Sequence, residues 1–165
     1  MKRARIPRQE VLMWNNIGQI AQRNVVTVRE ADDLVAAAKR MREQHVGYLI
    51  VAEPEASSQS LRPVGVLTDR DIVVAVIAKD IDPHALTVGD VMIREPVVVR
   101  EDSPITSALQ EMGRIGVRRM PVVGARGELL GVVSIDDVLE TLADELGNIA
   151  GSIRHEQRFE SAFRA

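Results

Sequence analysis

Residues 65–72 read GVLTDRDI, and residues 131–138 read GVVSIDDV. Both are a glycine, two aliphatic residues, a hydroxyl residue, two variable positions, an aspartate and an aliphatic residue. Such a phrase ends a strand and begins a helix. The aliphatic pair suits a buried strand, and Thr68 or Ser134, followed three residues later by Asp71 or Asp137, has the spacing of a capping box. A chain of 165 residues that writes this phrase twice invites comparison of what surrounds each copy.

The surroundings repeat as well. Setting Ile17 on Val88 aligns IGQIA (17–21) with VGDVM (88–92), and NVVTVREADDL (24–34) with EPVVVREDSPI (95–105). The same offset sets Met41 on Met112 and HVGYLIVA (45–52) on GVRRMPVV (116–123). Between these blocks and the Gly65 and Gly131 phrases the first copy carries five extra residues. They fall in EPEASSQSLRP (53–63), whose Pro and Ser content reads as a surface loop. An insertion at a loop, with Gly18 still matched to Gly89 and Asp71 to Asp137, argues for duplication of one unit.

Each copy reads β-α-β-β-α. Strands are expected at Val25–Val28, Tyr48–Val51 and Val64–Leu67, and again at Val97–Val99, Met120–Val123 and Leu129–Val133. The first helix of each copy follows from the apolar spacing Leu34, Ala37, Ala38, Met41 and Ile105, Ala108, Leu109, Met112. Ser103 and Pro104 predict an N-cap and a first turn for the second of these. The chain divides into an N-terminal extension (1–16), copy one (17–80), a connector (81–87), copy two (88–146) and a helical tail (147–165). Copies of about 60 residues bury little core alone, so packing of copy on copy is expected. The stretch DIVVAVIAK (71–79) is apolar on nearly every face and needs cover on all sides, which predicts a homodimer.

Composition narrows the function. The chain is 45% apolar and 27% charged, as in an ordinary globular protein, with only 2% aromatic residues. A net charge of −3 and so few aromatics for base stacking argue against nucleic-acid binding. With no cysteine, disulfides, thiolate metal sites and cysteine nucleophiles are excluded. His45, His84 and His155 are scattered without metal-ligand spacing, so neither a metal site nor an enzyme is expected. The basic start lacks the apolar core of a signal peptide, and no apolar run reaches membrane-span length. The reading is a soluble, cytoplasmic protein.

The hydroxyl-x-x-Asp pair supports two readings. As a cap, the hydroxyl accepts from an N3 amide and the N3 acid reaches back. As a site, the aspartate holds a vicinal diol, the helix N-terminus suits an anion, and Gly65 and Gly131 permit close backbone approach. One carboxylate can serve both ends.

Two copies of β-α-β-β-α, each ending in Gly-aliphatic-aliphatic-Ser/Thr-x-x-Asp, resemble a tandem pair of cystathionine β-synthase (CBS) domains, the Bateman module of stand-alone bacterial proteins. VGYLIV followed by GVLTDRDIV resembles the first repeat, and GVRRMPVV followed by GVVSIDDV the second. The resemblance implies an α/β (α+β) module in which the two repeats pack with pseudo-twofold symmetry. It also implies a non-catalytic regulatory role, in which AMP, ADP, ATP or S-adenosylmethionine binds in clefts between the repeats. Carried over, one cleft combines Val132, Ser134 and Asp137 with a wall of Val46, Gly47 and Tyr48. The other combines Val66, Thr68 and Asp71 with Val117, Arg118 and Met120. Arg118 and Arg119 match phosphate-contacting positions of the family, and the Asp137 cleft is expected to profit more from them.

Three features stand apart. Tyr48 takes a position where the family commonly has a small Ala, and it either stacks on adenine or fills its cleft. Gly147 suggests a C-cap, after which NIAGSIRHEQRFESAFRA carries Phe159 and Phe163 at i, i+4, either packing back on the module or docking a protein partner. The N-terminal VLMW, with the only tryptophan, invites the same two readings. A ligand-free dimerisation unit is the competing function.

Overall fold

The computed structural model of the protein describes residues 16–55 and 59–163, with residue 154 and the turns from 156 onward as backbone. The Val11–Trp14 segment and the side chains of Phe159 and Phe163 therefore lie outside the described residues.

Copy one contains β1 (Thr27–Val28), α1 (Leu34–Gln44), β2 (Tyr48–Pro54), β3 (Leu61–Thr68) and α2 (Asp69–Ala75). Copy two contains β4 (Ile93–Arg94), β5 (Val99–Arg100), α3 (Ile105–Ile115), β6 (Arg119–Val123), β7 (Leu129–Ser134) and α4 (Ile135–Phe163). In each copy a short strand pairs parallel to the central strand, which pairs antiparallel to the last. The central strands β2 and β6 are buried along most of their length, and Leu49 and Val51 of the first copy and Met120 and Val122 of the second lie in two separate apolar cores.

The copies exchange their starts. Ile17 and Ile20 of copy one are buried in the core of copy two, while Val88 and Met92 of copy two are buried in the core of copy one. Ile17 and Val88 are fully buried, an exchange that stabilises the pair by about 1.5–3 kcal/mol per side chain. The backbone bonds that anchor these segments are also duplicated. Ile17 N–H donates to Ser103 O at 3.0 Å and Val88 N–H to Asp32 O at 2.9 Å; Gly18 N–H donates to Glu101 O at 2.8 Å and Gly89 N–H to Glu30 O at 2.9 Å. Arg23 and Glu101 then meet at 3.6 Å, as Arg94 and Glu30 do at 2.6 Å. Matched contacts at matched positions are what pseudo-twofold packing of a duplicated unit requires.

The exchange continues along the sheets. Ile93 of copy two pairs with Val66 on β3, and Gln22 of copy one bridges Val132 on β7. This explains Gly65 and Gly131. A Cβ on Gly131 would stand 2.7 Å from Gln22 O, and one on Gly65 would stand 2.6 Å from Met92 Sδ. The close approach that these glycines permit is used by the other copy's chain.

Several boundaries differ from expectation. Helix α3 has Pro104 at its N-cap with no side-chain bond, so Ser103 is not the cap; its carbonyl instead receives Ile17. The expected C-cap at Gly147 is also corrected, because α4 runs unbroken through it for 29 residues. An isolated glycine costs about 1 kcal/mol in a helix, which the remaining turns absorb. No helix among the described residues is long and apolar enough to cross a membrane.

Candidate functional site

The capping box is present in both copies. Thr68 N–H and Thr68 Oγ1 donate to Asp71 Oδ2 at 2.9 and 2.7 Å, and Asp71 N–H donates back to Thr68 Oγ1 at 3.2 Å. Ser134 N–H and Oγ donate to Asp137 Oδ2 at 2.7 and 2.6 Å, and Asp137 N–H donates to Ser134 Oγ at 3.1 Å. In both, the cap consumes one carboxylate oxygen and leaves the other. The two Oδ1 atoms then differ. Asp137 Oδ1 accepts from Gln22 Nε2 at 3.1 Å, whereas Asp71 Oδ1 has no hydrogen bond among the described residues.

A cleft of about 560 Å³ opens beside Asp71. Its apolar walls are Val66, Ile93, Val97, Val117 and Pro121, and its polar side carries Thr68, Arg70, Asp71, Arg118 and Arg119. Ile93, on the apolar wall, is 54% exposed. The Arg70 and Arg118 guanidinium groups have no ion pair among the described residues, and Arg119 stands 3.7 Å from Asp136. Small-molecule sites span roughly 300–1,000 Å³ and combine apolar walls with a few placed polar groups, a description this cleft meets.

The Asp137 side is different. The described residues there line a hollow of about 170 Å³, which includes Gln22, Asp137 and Thr141, and one of about 180 Å³, which includes Val26, Val46, Tyr48, Arg119 and Val132. Each is below the usual size of a ligand site.

The structure thus gathers Gly47, Tyr48, Val66, Thr68, Asp71, Val117, Arg118 and Arg119 around one cleft, and puts Val46 and Val132 on the smaller hollow. Met120 is not on the cleft wall. Strand alternation turns it into the core of copy two, while Arg119 and Pro121 face the cleft. Ser134 is buried under its cap and borders none of these cavities. Of the two arginines expected to favour the Asp137 cleft, Arg118 lines the Asp71 cleft, joined there by Arg70, and Arg119 borders both sides. Arg70, Ile93 and Gln22 were not singled out from sequence. Arg70 stands inside the repeated phrase, and Gln22 and Ile93 occupy matched positions, so the signal was present but unread.

Tyr48 and Arg119, equivalent in the repeat, start β2 and β6, and both border the large cleft and the smaller hollow. Burial pushes the Tyr48 hydroxyl well above its ordinary range, with the Arg119 charge pulling weakly the other way.

Fold and cleft together define a tandem β-α-β-β-α pair with a ligand-sized opening between repeats. The CBS domain pattern matches residues 17–78 and again 88–144, and the chain belongs to the CBS domain family. It is 30% identical over 125 residues to an uncharacterised protein of Methanopyrus kandleri, covering 76% of this chain but 61% of that one. Among solved structures it is similar to a hexameric CBS-CP12 protein from bloom-forming cyanobacteria, at 33% identity and a TM-score of 0.66 over 77% of this chain and 67% of that one. It is also similar to a CBS domain protein from Pyrobaculum aerophilum complexed with AMP, at 27% identity and a TM-score of 0.65 over 74% of this chain and 88% of that one.

Proposed function

We propose that the protein is a non-catalytic regulatory module that binds an adenosine ligand in the Asp71 cleft. The observation that carries the reading is the uncommitted Asp71 Oδ1 in a cleft whose lining also includes aliphatic walls and Arg70, Arg118 and Arg119. An ionised carboxylate oxygen accepts from sugar hydroxyls, the aliphatic walls take a base, and unpaired guanidinium groups take a phosphate. The relative complexed with AMP supports the same ligand class. AMP, ADP, ATP and S-adenosylmethionine all present the adenosine part, so calorimetric titration with each of the four tests the reading. The cation count favours a phosphorylated ligand over S-adenosylmethionine.

The proposal includes assembly as a homodimer and a report to a partner protein. Val73, Val74 and Ile77 of the first copy are each more than half exposed in the single chain. So are Leu139, Leu142, Leu146, Ile149 and Ile153 of α4, at the alternating spacing of three and four that marks a coiled-coil seam. A soluble chain rarely leaves a stripe of this length in water. The extended α4 is the element placed to carry a change in dimer geometry outward. A ligand-free dimerisation unit would fit the Asp137 side, where Gln22 and Asp137 border a hollow of about 170 Å³, but it leaves the open Asp71 cleft unused.

A further inference from the structure

We infer that Gln22 makes the two clefts unequal: its carboxamide takes the place of a ligand hydroxyl on Asp137, so that each chain holds one nucleotide, at Asp71. The inference rests on the nucleotide reading above. Gln22 is fixed in place by its backbone, which donates to Val132 O at 2.8 Å and accepts from Val132 N–H at 3.0 Å. The bare Gly131 lets that contact close, since any Cβ there would meet Gln22 O. From this anchor the side chain reaches across to Asp137 Oδ1 at 3.1 Å. The cap already holds Oδ2, so both oxygens of Asp137 are committed.

The matched position in the other half is Ile93, held against Val66 in the same register. An isoleucine side chain offers no donor, and Asp71 Oδ1 stays without a partner among the described residues. At this matched position the two sites therefore differ between a side chain that donates to the aspartate and one that cannot. Across Asp137 a carboxamide N–H supplies what a ribose hydroxyl would supply, a donor to an ionised carboxylate. A ligand entering there must exchange one such bond for another and displace the side chain, so it gains little.

The test is calorimetric titration with AMP of wild type, Gln22→Ile, which copies the other half, and Gln22→Ile combined with Asp137→Asn. Wild type should take one AMP per chain. Gln22→Ile should take two, the second lost again in the double variant. Two sites of equal affinity in wild type overturn the inference, as does a folded Gln22→Ile that stays at one. If wild type takes none, the nucleotide reading fails; a Gln22→Ile that then takes one AMP, lost in the double variant, leaves the role of Gln22 standing, and one that takes none removes it too. A ligand-free check uses ¹⁵N-labelled protein, where Asp137→Asn should shift the Gln22 side-chain amide resonances. Resonances at free-glutamine positions in wild type would contradict the contact.

Discussion

Gln22 Nε2 donates to Asp137 Oδ1 at 3.1 Å, while Ile93, in the matched place, has nothing to donate to Asp71. The duplicated unit therefore carries one committed aspartate and one available aspartate, and the large cleft lies beside the available one.

Cations beside that cleft should tell phosphate from sugar. Replacing both Arg118 and Arg119 by Gln should weaken AMP about tenfold or more, since each charge-assisted hydrogen bond contributes roughly 1.5–3 kcal/mol. Adenosine affinity should change far less, and the salt dependence of AMP binding should flatten. Equal losses for AMP and adenosine would place the arginines elsewhere than at a phosphate.

Tyr48 makes a prediction about alkaline pH. Its hydroxyl is raised from the ordinary 10.0 by burial, so the folded chain keeps this proton at a pH where the unfolded chain has released it. The contribution is fully present below about pH 10 and is lost as the pH rises beyond that value, so stability should fall there. Tyr48 is the only tyrosine, so tyrosinate absorbance reports it alone. Absorbance should rise only on unfolding, and Tyr48→Phe should flatten the alkaline loss. An ordinary titration curve in the folded protein would mean the hydroxyl is not shielded from water.

The exposed stripe of α4 bears on assembly. Light scattering should give twice the 18.2 kDa chain mass for wild type, and Leu142→Glu with Leu146→Glu should reduce it toward the single-chain value. Circular dichroism should show the helices retained, because neither side chain lies in the two cores. A wild-type monomer at micromolar concentration would contradict the dimer.

The repeat also exposes a local strain. Helix α1 ends at His45 with φ 53°, and the matched end of α3 is Gly116 with φ 73°. A residue with a side chain in the left-handed region costs roughly 1–2 kcal/mol, which glycine avoids. His45→Gly should therefore raise the melting temperature, by up to about 1 kcal/mol of stability after glycine's own entropy cost. A drop would show that the histidine side chain makes a contact worth more than the strain.

The duplication, the order of elements and the capping boxes were legible in sequence because each depends on local pattern: alternation, 3.6-residue spacing and a hydroxyl three residues before an acid. The exchange of edges was not. That Gln22 crosses to Val132 and Ile93 to Val66 depends on how two copies dock, which neither copy's periodicity encodes. For the same reason the glycines of the repeated phrase read as room for a ligand when the other copy's chain fills that room, with Met92 Sδ at Gly65 and Gln22 O at Gly131. Met120 enters the site through the family resemblance of GVRRMPVV, although strand alternation sets it on the face opposite Arg119 and Pro121. Gly147 signals a helix end only when the flanking residues fail to continue the helix, and here they continue it.

The most direct measurement is AMP affinity in Asp71→Asn and Asp137→Asn alongside their melting temperatures. Asparagine can still accept the capping amide, so both variants should melt within a few degrees of wild type, the loss of a whole cap being only about 1 kcal/mol. Asp71→Asn should lose at least about tenfold in affinity, because the charged acceptor for the sugar hydroxyls is gone. Asp137→Asn should leave affinity unchanged, since Gln22 already occupies that acceptor. Affinity lost in Asp137→Asn and retained in Asp71→Asn would contradict the assignment of the site.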